Sequence, residues 1–140
     1  MSSRIATIFV CDDILVSLNG KWNALGIYTA DIIIAGDEVT ATQIIVVFQL
    51  ECDLVDPYTS ITLEVQFPGE PARQLPMPIL PIVSTQGRSR WTVRWPFLNQ
   101  MVRLRPGRIQ TKVIHDKGEI DTGGIWIINS MAPLPEAQQT

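Results

Sequence analysis

Residues 60–67 read SITLEVQF, and the alternation of apolar and polar residues in this stretch predicts a half-buried β-strand. Its apolar residues would share the face that points into a core: Ile61, Leu63, Val65 and Phe67. Arg90–Trp95 repeats the same pattern. No segment shows a sustained period of 3.6 residues, so we expect no long helix.

A different pattern marks Thr42–Leu50, which reads TQIIVVFQL and is apolar on nearly both faces. This pattern is typical of a central strand that is covered on both sides. We therefore expect Ile45, Val47 and Phe48 to be buried. In contrast, Pro68–Pro81 contains five prolines, which predicts an edge strand or an extended loop because proline cannot donate to a ladder.

Turn residues separate the remaining apolar runs. These runs are predicted to be strands: Ile5–Val10, Trp22–Ile34, Met101–Leu104, Ile109–His115 and Ile125–Ile128. Asn19 and Gly20 both tolerate positive φ, so they predict a type I′ hairpin turn. A second hairpin is expected to close around residues 116–118, and Leu98–Val102 is predicted to form one short helical turn.

Together these patterns predict an all-β fold, namely one antiparallel β-sandwich of about seven to nine short strands formed by residues 1–130. The chain has 140 residues, of which 46% are hydrophobic and 18% charged, and this suits one domain with one core. Residues 131–140 have no strand pattern and are predicted to form a flexible tail.

The sequence contains no apolar run long enough to cross a bilayer, so we predict no membrane segment. The apolar stretch after Arg4 is short and ends in two acids, where a signal peptide would need small residues. We therefore expect a cytoplasmic protein. Cys11 and Cys52 belong to no CxxC or Cys/His cluster, so we expect buried thiols, with a disulfide as the alternative.

Few residues point to enzyme chemistry, and we predict neither catalysis nor a cofactor. The only histidine is His115, and the chain has no G-x-S-x-G or Walker sequence. A triad assembled from separated residues is the enzymatic alternative. A loop calcium site is another, because calcium takes six to eight oxygen ligands. Its candidate ligands lie at predicted strand ends: Asp12, Asp13, Asp53 and Asp56. The simpler interpretation is that these aspartates cap turns.

The N-terminal third carries a recognisable order of motifs. A hydrophobic strand is followed by CDD at residues 11–13, by a hairpin with NGK at 19–21, and by LGIY at 25–28. This order resembles a bacterial and phage family of small proteins that is catalogued as a domain of unknown function. The resemblance implies a small sandwich domain of about this length, and it implies no catalytic residue and no substrate.

Charge is strongly segregated along the chain. Residues 1–70 hold ten acids and two bases, whereas residues 71–115 hold eight bases and no acid. The arginine-rich segment, residues 88–112, contains the candidate binding residues: Arg90, Arg94, Arg103, Arg105 and Arg108. If two neighbouring strands carry these arginines, they would form one basic surface, since arginine forks grip phosphate and carboxylate groups. The alternative is that acids of the same domain neutralise them.

Three functional hypotheses follow from these features. The first is a non-enzymatic interaction or structural module that binds a protein partner or forms a homo-oligomer. The second is a polyanion- or nucleic-acid-binding domain that uses the arginine-rich segment. The third is a calcium site or an enzyme in the loops.

Overall fold

The structure is a computed structural model that describes residues 3–79 and 87–130. Ten β-strands occupy most of these residues, and no helix occurs within them. The strands are β1 (Ile5–Cys11), β2 (Asp13–Val16), β3 (Trp22–Leu25), β4 (Ile32–Ile34), β5 (Val39–Asp53), β6 (Ile61–Gln66), β7 (Arg73–Met77), β8 (Arg90–Leu104), β9 (Gly107–His115) and β10 (Gly118–Asn129). The all-β prediction is therefore confirmed.

The ten strands form three sheets. The prediction of one antiparallel sandwich of seven to nine strands is therefore not confirmed. The first sheet has the order β1-β5-β8, and the second has the order β4-β10-β9-β6-β7. The third is the hairpin of β2 and β3. The second sheet includes one parallel pair, β4 with β10, which the sequence did not indicate.

Strand β5 is the centre of the first sheet and is covered on both faces, as predicted. Ile45, Val47 and Phe48 are at most 3% exposed. Phe48 packs in the large core that the first two sheets share. Ile45 and Val47 face the opposite way and pack with Cys11 under the β2–β3 hairpin. A strand with two buried faces must be apolar on both, and TQIIVVFQL meets that requirement.

The second sheet contributes the alternating strand that the sequence indicated most clearly. In β6, Ile61, Leu63 and Val65 are at most 3% exposed and face the core. The proline-rich stretch supplies β7, which pairs with β6 alone among the described strands and so forms an edge, as expected. The hairpin predicted around residues 116–118 is also present, since His115 pairs with Gly118.

The turn at Asn19 and Gly20 is a tight reversal, as predicted, but it is not type I′. Gly20 has a φ of 80°, whereas Met101 is the only non-glycine residue with positive φ in the described ranges. The Gly20 N–H donates to Ser17 O, and Ser17 and Lys21 face each other across the loop. This is the pattern of a three-residue hairpin loop in which only the glycine needs positive φ.

Two other boundaries differ from the prediction. Trp22–Ile34 is not one strand arm, because β3 ends at Leu25 and β4 begins at Ile32 in another sheet. Residues 90–104 form one strand with no helical turn, since β8 pairs with the equally long β5 in a constant register. Met101 has a φ of 51°, and the two successive residues Gln100 and Met101 are both exposed. The core-facing residues of β8 are therefore odd-numbered before this point and even-numbered after it.

The predicted tail, residues 131–140, lies outside the described residues, as do residues 80–86 of the proline-rich region. A search of the described part of the chain finds no helix long and apolar enough to cross a membrane.

Candidate functional site

The arginines of the arginine-rich segment do not lie on two neighbouring strands. Arg90, Arg94 and Arg103 all belong to β8, Arg105 follows that strand, and Arg108 lies on β9 in the other sheet. Arg94 and Arg103 are nine residues apart on an extended strand, so about 30 Å separates their Cα atoms. The prediction that these arginines form one contiguous surface on two neighbouring strands is therefore wrong. Trp95 and Met101 belong to one continuous strand, where the sequence predicted two.

Two of these arginines are neutralised by acids of the same chain. Arg90 Nη1 donates to Asp53 Oδ1 at 2.6 Å, and Arg90 Nη2 donates to Ser3 O. Arg105 Nε donates to Glu38 Oε1 at 2.8 Å. Acids of the N-terminal half thus do pair with part of the basic segment. Such pairs are partly exposed and contribute only about 0–1 kcal/mol each to stability.

The other three arginines are available to a partner. Arg94, Arg103 and Arg108 are exposed, and none of them pairs with a residue of ranges 3–79 or 87–130. Guanidinium groups without an acid keep their full capacity for bidentate contacts with carboxylate or phosphate.

The four candidate calcium ligands are not brought together. Asp12 and Asp13 follow one end of β1, whereas Asp53 and Asp56 lie beyond its other end, where Ile5 pairs with Glu51. Seven strand residues span about 24 Å, so the two pairs cannot share one ion. Within the described residues, no group of three potential ligands is placed to hold a metal ion.

Asp12 and Asp13 instead fasten the base of the β2–β3 hairpin. Asp12 Oδ1 accepts a hydrogen bond from Tyr28 Oη at 2.8 Å, and the Asp12 backbone carbonyl accepts one from Gln43 Nε2 at 3.0 Å. Asp13 Oδ1 caps the N–H of Ile14 at 2.8 Å. Asp13 thus caps a turn, as interpreted from the sequence, but its Oδ1 also accepts a hydrogen bond from Gln43 Nε2 at 3.3 Å, so both aspartates make tertiary contacts.

Gly26 completes this contact. It has a φ of 66°, and a Cβ at this position would lie 2.8 Å from Asp12 Cγ. Burial and the hydrogen bond to Asp12 raise the pKa of Tyr28 to about 12, so its hydroxyl stays a donor. The residues of the CDD and LGIY motifs thus form one structural unit around the Asp12 carboxylate.

A buried cluster surrounds Arg4, and no sequence pattern indicated it. The side chain of Arg4 is 1% exposed and donates to Asp116 at 2.9 Å, Asp56 at 3.2 Å and the carbonyl of Pro57 at 2.8 Å. Its guanidinium carbon lies 4.7 Å from the ring centroid of Tyr58. The signal that could have located this site was weak, because an arginine directly before an apolar strand is usually solvated.

His115 belongs to the same cluster. Its Nδ1 accepts hydrogen bonds from Arg4 Nη1 at 2.8 Å and from the N–H of Lys117 at 3.2 Å, so the proton of the neutral ring is on Nε2. Burial lowers the pKa of His115, and the charge of Arg4 lowers it further. The hydrogen bond from Arg4 holds the pKa of Asp116 well below its usual range. This arrangement neutralises charge and offers no free nucleophile.

The two cysteines are free and buried. Cys11 pairs with Ile45 at the middle of β5, whereas Cys52 lies seven residues further along, near the end of the strand, and faces the large core. Burial raises the pKa of both thiols, so both are poor nucleophiles. They are not placed to form a disulfide with each other.

The β2–β3 hairpin carries a cluster of exposed apolar side chains. Leu18 at its tip is fully exposed, and Leu15 and Val16 are 52% and 63% exposed. Leu25, at the base of β3, is 46% exposed. The inner face of the hairpin is used internally, because Ile14 and Trp22 pack against Ile45 and Val47. Val16 pairs with Trp22 and so lies on this inner face near the tip, whereas Leu15 and Leu25 lie on the outer face. The sequence showed the hairpin but not which of its faces would be free.

Comparison of the chain with protein-family models finds no match, and comparison with curated proteins finds no match either. The family resemblance of residues 11–28 therefore stays a prediction.

Proposed function

We propose that the protein is a non-enzymatic interaction module of the cytoplasm that binds other protein chains through the β2–β3 hairpin. The first two sheets would act as the two layers of a sandwich and hold the hairpin rigidly by its inner face. The single observation that carries the proposal is the exposed apolar cluster of the hairpin, which combines Leu15 and Leu25 on its outer face with Leu18 at its tip. Exposed clusters of this kind mark protein–protein contacts.

A second copy of the chain is the partner that the charge distribution favours. The bases concentrated in residues 71–115 and the acids concentrated in residues 1–70 allow one copy to present acids to the unpaired Arg94 and Arg103 of another. An apolar contact at the hairpin would supply affinity, and the charged contacts would fix the orientation of the two copies.

Sedimentation velocity tests this proposal. The wild-type chain is expected to self-associate at micromolar concentration, and a double variant with Leu15→Ser and Leu18→Ser is expected to sediment as a monomer. Val55→Ser is the matched control, because Val55 is 94% exposed but lies beyond the far end of β5. A wild-type chain that stays monomeric, or a Val55→Ser variant that dissociates equally, would contradict self-association through the hairpin.

Polyanion binding is a second candidate function, and it rests on the unpaired guanidinium groups of Arg94 and Arg103. Retention on heparin should fall steeply with salt, since each phosphate or sulfate contact releases counterions. The double variant Arg94→Gln, Arg103→Gln should elute at lower salt than the wild type. Arg105→Gln, which removes an arginine already paired with Glu38, should elute with the wild type. Equal elution of all three proteins would exclude this function.

A further inference from the structure

A polar groove of about 440 Å³ lies on the outer face of the five-stranded sheet, away from the hairpin and from β8. Strands β6, β9 and β10 line it, and five of its lining residues are charged: Glu64, Arg108, Lys112, Glu119 and Asp121. A volume of this size is typical of sites for small molecules.

The groove exists because β10 contains two glycines and a bulge there. The register between β9 and β10 shifts between Asp121 and Gly123, and Gly123 has a φ of 81°. Gly124 lies so close to β9 that a Cβ would come within 2.8 Å of the carbonyl carbon of Ile109. The outer face therefore lacks side chains at this point, where an alternating strand would present one.

Opposite charges face each other across the gap at Gly123. Arg108 Nη2 lies 3.6 Å from the position of a Cβ on Gly123, and it pairs with no described residue. Asp121 Oδ1 accepts the N–H of Gly123 at 2.8 Å. The path from Arg108 Nη2 through the Cβ position, the Cα and the N of Gly123 to Asp121 Oδ1 is about 9 Å long. The two charged groups are therefore no more than about 9 Å apart. They form no ion pair with each other, and both line the groove.

The remaining charges of the groove make its Asp121 end acidic. Lys112 Nζ lies 3.4 Å from both Glu64 and Glu119, so one cation is shared by two carboxylates before Asp121 is counted. A ligand group at this end would have to be positive, whereas a ligand group at Arg108 would have to be negative.

We propose that this groove binds a small zwitterion of the α-amino-acid type. Its carboxylate would accept hydrogen bonds from the Arg108 guanidinium, and its ammonium would donate to Asp121. An ammonium and a carboxylate on one carbon lie about 3 Å apart, and two charge-assisted hydrogen bonds of about 2.8 Å extend that span to about 9 Å. This length is within the upper limit of about 9 Å for the gap over Gly123. The site is independent of the function proposed for the hairpin.

The probe is a mixture of the standard amino acids, screened against the full chain by saturation-transfer NMR at millimolar concentration. The strongest binder is then compared by titration with its N-acetyl derivative, which keeps only the carboxylate charge, and its amide, which keeps only the ammonium charge. We expect the zwitterion to bind about tenfold or more tightly than either derivative, because each blocked group removes one charge-assisted contact.

Two variants assign the two ends of the site. Arg108→Gln should weaken the amino acid about tenfold and should leave the amide unaffected, whereas Asp121→Asn should weaken the amino acid and leave the N-acetyl derivative unaffected. Arg94→Gln is the control, since Arg94 is exposed and unpaired but lies on β8 of the other sheet. Absence of binding by every amino acid, equal binding of the zwitterion and both derivatives, or unchanged binding by both groove variants would overturn the proposal.

Discussion

His115 is the one side chain whose charge should change near neutral pH, because the chain contains no other histidine. The groups that face it are Arg4, Asp56, Tyr58, Asp116 and Lys117. Protonation at Nδ1 would break two hydrogen bonds and place a second cation beside Arg4. Folding therefore favours the neutral ring.

The pH dependence of stability follows from the lowered pKa of His115. The unfolded chain binds a proton near the ordinary pKa of about 6.5, whereas the folded chain binds it only at lower pH. The free energy of unfolding should thus be highest above pH 6.5 and should fall as the pH drops below that value. Urea unfolding at about pH 7.5 and about pH 5.5 measures this loss.

The variant His115→Gln should remove most of that pH dependence. Asp56 and Asp116 also have a lowered pKa, but their contributions disappear only at more acidic pH, below the ordinary pKa of a carboxyl group. An equal loss of stability in the wild type and in His115→Gln over this pH interval would show that another group is responsible.

Gly26 allows a test of the contact that joins the CDD and LGIY motifs. Gly26→Ala should cost more unfolding free energy than Gly20→Ala, although both positions have positive φ. A Cβ at Gly20 meets open space, so only the backbone cost of about 1–2 kcal/mol applies there. At Gly26 the Cβ also displaces the Asp12 carboxylate and breaks its hydrogen bond with Tyr28.

Chemical denaturation of the two alanine variants measures this difference. Asp12→Ala should reduce the extra cost of Gly26→Ala, since the displaced carboxylate is then absent, and the double-mutant cycle isolates that term. Equal costs at Gly20 and Gly26 would mean that the Asp12 side chain moves aside freely.

Strand β5 is the element that could be predicted best from the sequence. Its nine-residue apolar centre required two covered faces, and packing against both the second sheet and the hairpin meets that requirement. Strand β8 could not be predicted as one element, because Pro96 and the polar residues around Asn99 interrupt its pattern. Pairing with β5 along the whole length overrides these local signals.

Phe48→Ala should lower the free energy of unfolding by about 3–5 kcal/mol, because a fully buried phenyl ring leaves a cavity in the large core. Urea denaturation midpoints at unchanged slope measure this loss. Leu98→Ala on β8 is the control, since its side chain is 53% exposed and should lose far less. A loss below about 1 kcal/mol for Phe48→Ala would contradict the central position of β5.

At the scale of the whole molecule, Arg4 joins parts that are distant in sequence. It precedes β1 of the first sheet, and it contacts Asp116 in the β9–β10 turn of the second sheet and Asp56 in the connection between β5 and β6. A contact between residues 112 positions apart leaves no local pattern in the sequence. The candidate sites show the same limit. The arginines could be located in the sequence, but the residues that pair with them could not be predicted.

Arg4→Lys should be strongly destabilising although it keeps the charge. A lysine ammonium cannot reproduce the fork that reaches His115, Asp116 and Pro57 from two nitrogens, so buried partners lose their donors. We expect a loss of about 2 kcal/mol or more in the free energy of unfolding, as for other broken buried ion pairs. Arg94→Lys should change it by less than about 0.5 kcal/mol, because Arg94 is exposed and unpaired within the described ranges.

Urea unfolding at about pH 7.5 compares the two variants, and amide hydrogen exchange should show faster opening of the β9–β10 turn in Arg4→Lys. If the two lysine variants were equally stable, Arg4 would not hold the sheets together.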